Sequence, residues 1–89
     1  MDLYVLTYMK DYVIRTPQQL GPVLQGYRKA HGLTQARVGQ TVGLPQSEIS
    51  KLELDSSSTS LGRIFKLLAA LDLELVVRPR SKNAQPSEW

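Results

Sequence analysis

The chain has 89 residues, enough for one small domain with a single core, and sets 11 Lys and Arg against 8 Asp and Glu for a formal net charge of +3. It contains no cysteine, which excludes disulfides and thiolate chemistry, and the lone His31 cannot build a metal site, so no metal or cofactor is expected. The mildly basic balance suits a nucleic-acid partner, no stretch reaches the apolar length of a membrane span, and Asp2 is at odds with a positively charged leader, so a cytoplasmic location is expected.

Residues 1–15 read as an N-terminal extension in which Leu3 to Met9 forms a short strand or precedes a natural start at Met9. Thr16-Pro17 opens a helix, with Thr at the N-cap and Pro at the first helical position, and Leu20, Val23, Leu24 and Tyr27 share one face. Gly21-Pro22 conflicts with that helix, because Pro22 lacks the N–H owed to position 18, so a kink or a restart is expected there. The helix ends at His31-Gly32, where Arg28, Lys29 and His31 suit its negative end.

The stretch from Gly32 to Glu53 is punctuated as a helix-turn-helix for DNA. Thr34 caps a helix beginning at Gln35, Val38 and Val42 face inward, Gly39 lets another helix approach, and Gly43 turns the chain. A second helix starts near Pro45 with Ile49 and Leu52 buried, leaving Gln46, Ser47, Ser50 and Lys51 on the other side. That set suits a major groove: Gln bonds adenine in bidentate fashion, Ser donates or accepts, and Lys reaches guanine or phosphate. Gln35, at a helix N-terminus, suits a phosphate. The bland alternative, a helical core with merely solvated polar residues, explains any one of these residues but not their ordered pattern.

Ser56 to Ser60 forms a polar loop whose hydroxyls, Ser56 first, lie within reach of phosphates, although solvation is the commoner fate of such a run. Ser60 caps the next helix, where Leu61, Ile64, Phe65, Leu68 and Leu71 form the inward stripe and Leu67 and Ala70 form a second apolar surface needing a cover. Leu73, Leu75 and Val77 then alternate with Glu74, Val76 and Arg78, a strand ended by Pro79. Such an edge either pairs with a second copy about a twofold axis, through Leu73, Leu75, Val76 and Val77, or pairs with Leu3 to Met9 of the same chain. Residues 80–89 are a polar tail closing on Trp89, an accident of sequence or an anchor for another protein.

The residues Gly32-Leu33-Thr34-Gln35, Gly43-Leu44, Gln46 and Ile49-Ser50 resemble the lambda-repressor-like, Xre-type helix-turn-helix domains from about Thr16 to Leu71. With Thr16-Pro17-Gln18-Gln19-Leu20, Phe65-Lys66-Leu67-Leu68, Leu71-Asp72-Leu73-Glu74-Leu75 and the closing Glu88-Trp89, the chain is similar to HipB-type antitoxins. The resemblance implies a mainly α bundle of four to five helices in residues 16–72, and a strand over 73–79 pairing across a homodimer. It also implies autoregulation through palindromic operators, and neutralisation of a HipA-type serine/threonine kinase toxin. By the same resemblance Gln46, Ser47 and Lys51 touch bases, Gln35 and Arg37 hold phosphates, and Trp89 docks on the toxin. Pro45 and Arg37 depart from the family pattern, so no operator sequence carries over. A stand-alone Xre-family regulator without a toxin partner is the alternative. Enzymatic activity is not expected, because the carboxylates are scattered and no Gly-rich phosphate loop follows a strand.

Overall fold

The computed structural model describes residues 11–80. These form four α-helices and a 3-10 turn: α1 (Pro17–Ala30), α2 (Gln35–Val42), α3 (Gln46–Leu54), the turn Ser56–Ser58, and α4 (Leu61–Ala70). The expectations placed on Leu3 to Met9 and on Trp89 lie outside the described residues.

Each helix is bounded by local chemistry. Pro17 fills the first position of α1, and the side chain of Gln19 accepts from the backbone N–H groups of Arg15 at 2.6 Å and Thr16 at 3.2 Å. Thr34 Oγ1 accepts from Arg37 N–H at 3.0 Å to start α2, and Ser60 Oγ accepts from Arg63 N–H at 3.2 Å to start α4. α1 closes through Leu33 N–H to the Arg28 carbonyl and Gly32 N–H to the Lys29 carbonyl, with Gly32 left-handed. α4 closes the same way, through Leu73 to Leu68 and Asp72 to Ala69, with Asp72 left-handed at φ 59°. Gly43, at φ 73°, ends α2 and sends Leu44 into the angle between α2 and α3.

Pro22 neither breaks α1 nor restarts it: the helix runs uninterrupted from Pro17 to Ala30. Pro22 and Gln18 are both exposed, so the missing hydrogen bond lies on the solvent side, where water can satisfy the carbonyl.

The core is Leu24 from α1, Val38 from α2, Ile49 and Leu52 from α3, and Leu67, Leu68 and Leu71 from α4 and its end. Two glycines set its tightness. A Cβ on Gly39 would collide with the Leu44 carbonyl, and one on Gly21 would lie 2.5 Å from the Glu53 carbonyl, so α3 is held close to both preceding helices.

α4 is rotated from the expected setting. Leu67 is fully buried, whereas Leu61 and Phe65, assigned to the inward stripe, are exposed. Both stripes are apolar and share Ile64, Leu68 and Leu71, the last two buried as expected, so periodicity alone does not choose between them; packing against the core chooses the one with Leu67. Beyond α4, residues 73–80 carry no helix and no β-ladder; Leu73 packs on the core, and Leu75, Val76 and Val77 are exposed.

Candidate nucleic-acid interface

α3 carries the candidate reading face. Ile49, Leu52 and Glu53 turn inward, while Gln46, Ser47 and Lys51 are exposed and Ser50 is half-buried, as their helical spacing requires. Arg37, on α2, is also exposed, and neither it nor Lys51 is paired with an acid among the described residues. Their charge is therefore open to an anionic partner. Glu48, on the flank of α3, is bound by Arg63 of α4 at 3.1 Å, which neutralises an acid beside the face.

Beneath the face runs a hydrogen-bonded relay. Arg28 donates from Nε to Glu53 Oε2 at 2.6 Å and from Nη2 to Glu53 Oε1 at 3.0 Å, a bidentate pair, and from Nη1 to the Leu33 carbonyl at 2.7 Å. Glu53 Oε1 also accepts from Gln35 Nε2 at 2.9 Å, and Gln35 Oε1 accepts from Gln46 Nε2 at 2.9 Å. The direction of the relay follows from its root: a carboxylate only accepts, so Gln35 must turn its NH2 to Glu53 and its oxygen to Gln46. Gln46 is then left with its own carbonyl oxygen and a second N–H, the acceptor and donor that an adenine edge requires.

Arg28 and Glu53 are not among the expected site residues; Arg28 lies in the last turn of α1, as expected, but its guanidinium is turned inward onto Glu53. Side chains only 7% and 1% exposed make a closed ion pair whose charge is spent inside the protein. The signal was present but faint: Arg28 lies one turn after Leu24, and Glu53 one turn after Ile49, so opposite charges occupied two apolar stripes. Gln35 stands where expected, at the N-terminus of α2, but most of its amide is bound within the protein.

Ser56 is also corrected. It is buried, accepts from Gly21 N–H at 2.9 Å, and donates to the Pro17 carbonyl, so its hydroxyl closes the loop onto α1 and is not offered to a phosphate. Its neighbour Asp55 is exposed, and the Ser57 hydroxyl, donating at 2.6 Å, holds the Asp55 carboxyl below its ordinary range, with Ser58 adding to the effect. His31 closes α1 as expected, its ring stacked on Tyr27 at 4.2 Å.

Residues 24–77 match the helix-turn-helix family model. The antitoxin HipB of Escherichia coli O6:H1 is 32% identical over 84 residues, covering 94% of this chain and 88% of that protein. The chain belongs to the HipB antitoxin family. A second HipB, from Escherichia coli K12, is 29% identical over 91 aligned positions, covering 96% of this chain and all of the relative. Among solved structures, HipB in the HipA-HipB-O2-O3 complex superposes with a TM-score of 0.76 at 28% identity, covering 80% of this chain and 100% of that one. The HipB-O4 20mer complex gives the same TM-score, identity and coverage. In this HipB-family chain the helix-turn-helix motif is the segment α2–Gly43–α3, set on a bundle of four α-helices. No helix among the described residues is long and apolar enough to cross a membrane.

Proposed function

We propose that this chain is a homodimeric repressor and antitoxin that binds palindromic operators in its own promoter and neutralises a HipA-type kinase. The observation carrying this reading is Gln46, held at the surface by the Arg28–Glu53–Gln35 relay with one donor and one acceptor left for a base. Gln46, Ser47, Ser50 and Lys51 read bases, while Gln35, with its remaining N–H, and Arg37 hold phosphates. Kinship with HipB, and likeness to a HipB solved together with HipA, supports the antitoxin half.

Dimerisation is supported by apolar surface that the monomer leaves uncovered: Leu61 and Phe65 on α4, and Leu75, Val76 and Val77 beyond it. Pairing residues 73–79 across a twofold axis satisfies their open backbone and sets two α3 helices about 34 Å apart, one turn of DNA. Trp89, at the end of the chain, is assigned to the kinase. Footprinting of the DNA upstream of the chain's own reading frame tests the first half: two symmetric half-sites are expected, lost on changing Gln46 and Lys51 to Ala. Co-purification with the neighbouring gene product tests the second: a kinase is expected to be retained by the full chain and released when Trp89 is removed, with operator binding intact. A chain that protects no upstream DNA, or a tail whose removal abolishes protection, overturns the reading.

A further inference from the structure

We propose that Leu54 is a fifth base-reading residue, recognising the C5-methyl group of a thymine; this rests on the operator reading above. Leu54 is 82% exposed, although α3 is regular to its last turn, with Asp55 N–H closing on the Lys51 carbonyl at 2.8 Å. A single exposed leucine means little in itself. Its position gives it meaning: Leu54 follows Ser50 by four residues, Ser47 by seven and Lys51 by three, and so falls in the middle of the polar stripe, opposite Ile49 and Leu52.

The other large apolar side chains exposed among the described residues lie before α1, on α4 and beyond it, so Leu54 is the one such side chain on the reading helix. Eight residues of α-helix separate it from Gln46 by about 12 Å, between three and four base steps along the groove. Of the base-edge groups in a major groove, the thymine methyl is the apolar one, and an aliphatic side chain is its matching contact. Serine, glutamine and lysine cannot supply that recognition, so Leu54 adds a thymine to what the helix specifies.

The test is a protein-by-DNA cycle. A duplex carrying the footprinted upstream sequence is titrated with the native chain and with Leu54→Ala, thymines being replaced one at a time by deoxyuridine, which lacks only the methyl group. The native chain is expected to lose about fourfold in affinity at one thymine per half-site, the worth of one buried methyl. Leu54→Ala is expected to lose a similar factor on the unmodified duplex and to be indifferent to deoxyuridine at that position alone. Unchanged affinity of the variant, or a variant that keeps every deoxyuridine penalty, overturns the assignment. A native chain that does not bind the duplex overturns the operator reading as well, and is seen before any Leu54 variant is made.

Discussion

Changing Glu53 to Gln tests the relay at its root. Arg28 and Glu53 are joined by two hydrogen bonds, of 2.6 and 3.0 Å, and their side chains are only 7% and 1% exposed. Replacing the carboxylate leaves a buried guanidinium without a counter-charge, its remaining acceptors being the single oxygen of the new amide and the Leu33 carbonyl. Breaking a buried pair in this way costs about 3 to 5 kcal/mol, a large share of the roughly 5 to 15 kcal/mol that holds a small domain folded. For a chain of this size the loss lowers the melting temperature by at least about 12 °C. Removing both charges together is far milder, because the energy of a buried pair is largely offset by its desolvation. Urea unfolding followed by circular dichroism on Glu53→Gln, and on the cycle of Arg28→Met, Glu53→Leu and the Arg28→Met/Glu53→Leu double variant, checks this. The double variant is expected to be more stable than either single one. A Glu53→Gln loss below about 1 kcal/mol, or a double loss equal to the sum of the single ones, refutes the reasoning.

Ser56→Ala should cost about 1 to 3 kcal/mol by orphaning the buried Gly21 N–H, yet leave the salt dependence of operator binding unchanged, which titrations at several salt concentrations would read. Gly39→Ala should cost about 1 to 3 kcal/mol in thermal or urea unfolding, because the added carbon meets the Leu44 backbone rather than a movable side chain. Ser57→Ala should raise the pKa of Asp55 toward its ordinary value of 3.8, followed by NMR titration. The sign is that of a depressed carboxyl: the stabilisation is present above 3.8 and is lost as pH falls through the lower folded-state value.

What was legible beforehand was local. Thr34, Ser60, Gly32 and Gly43 act within four residues of themselves, so their identities suffice to place helix starts and stops. The exposed positions of α3 follow from its period once Ile49 and Leu52 are inside. What escaped was non-local. Arg28 and Glu53 meet across 25 residues, and Ser56 reaches back 35 residues to Gly21; helical period places Arg28 and Glu53 on inward stripes but does not pair them, and it says nothing of Ser56. The rotation of α4 is open for another reason, since Leu61 and Phe65 are as apolar as Leu67 and only the shape of the core decides among them. The proposed pairing of residues 73–79 needs a second copy, and in the single chain these residues carry no β-ladder.

The central claim is that α3 reads a specific DNA sequence, and the most direct measurement compares equilibrium binding of the native chain to its own upstream duplex and to a scrambled duplex of equal composition. At physiological salt the account predicts at least about a thousandfold preference for the former, with both affinities falling as salt rises. Equal affinity for the two duplexes, or binding to neither, would contradict it.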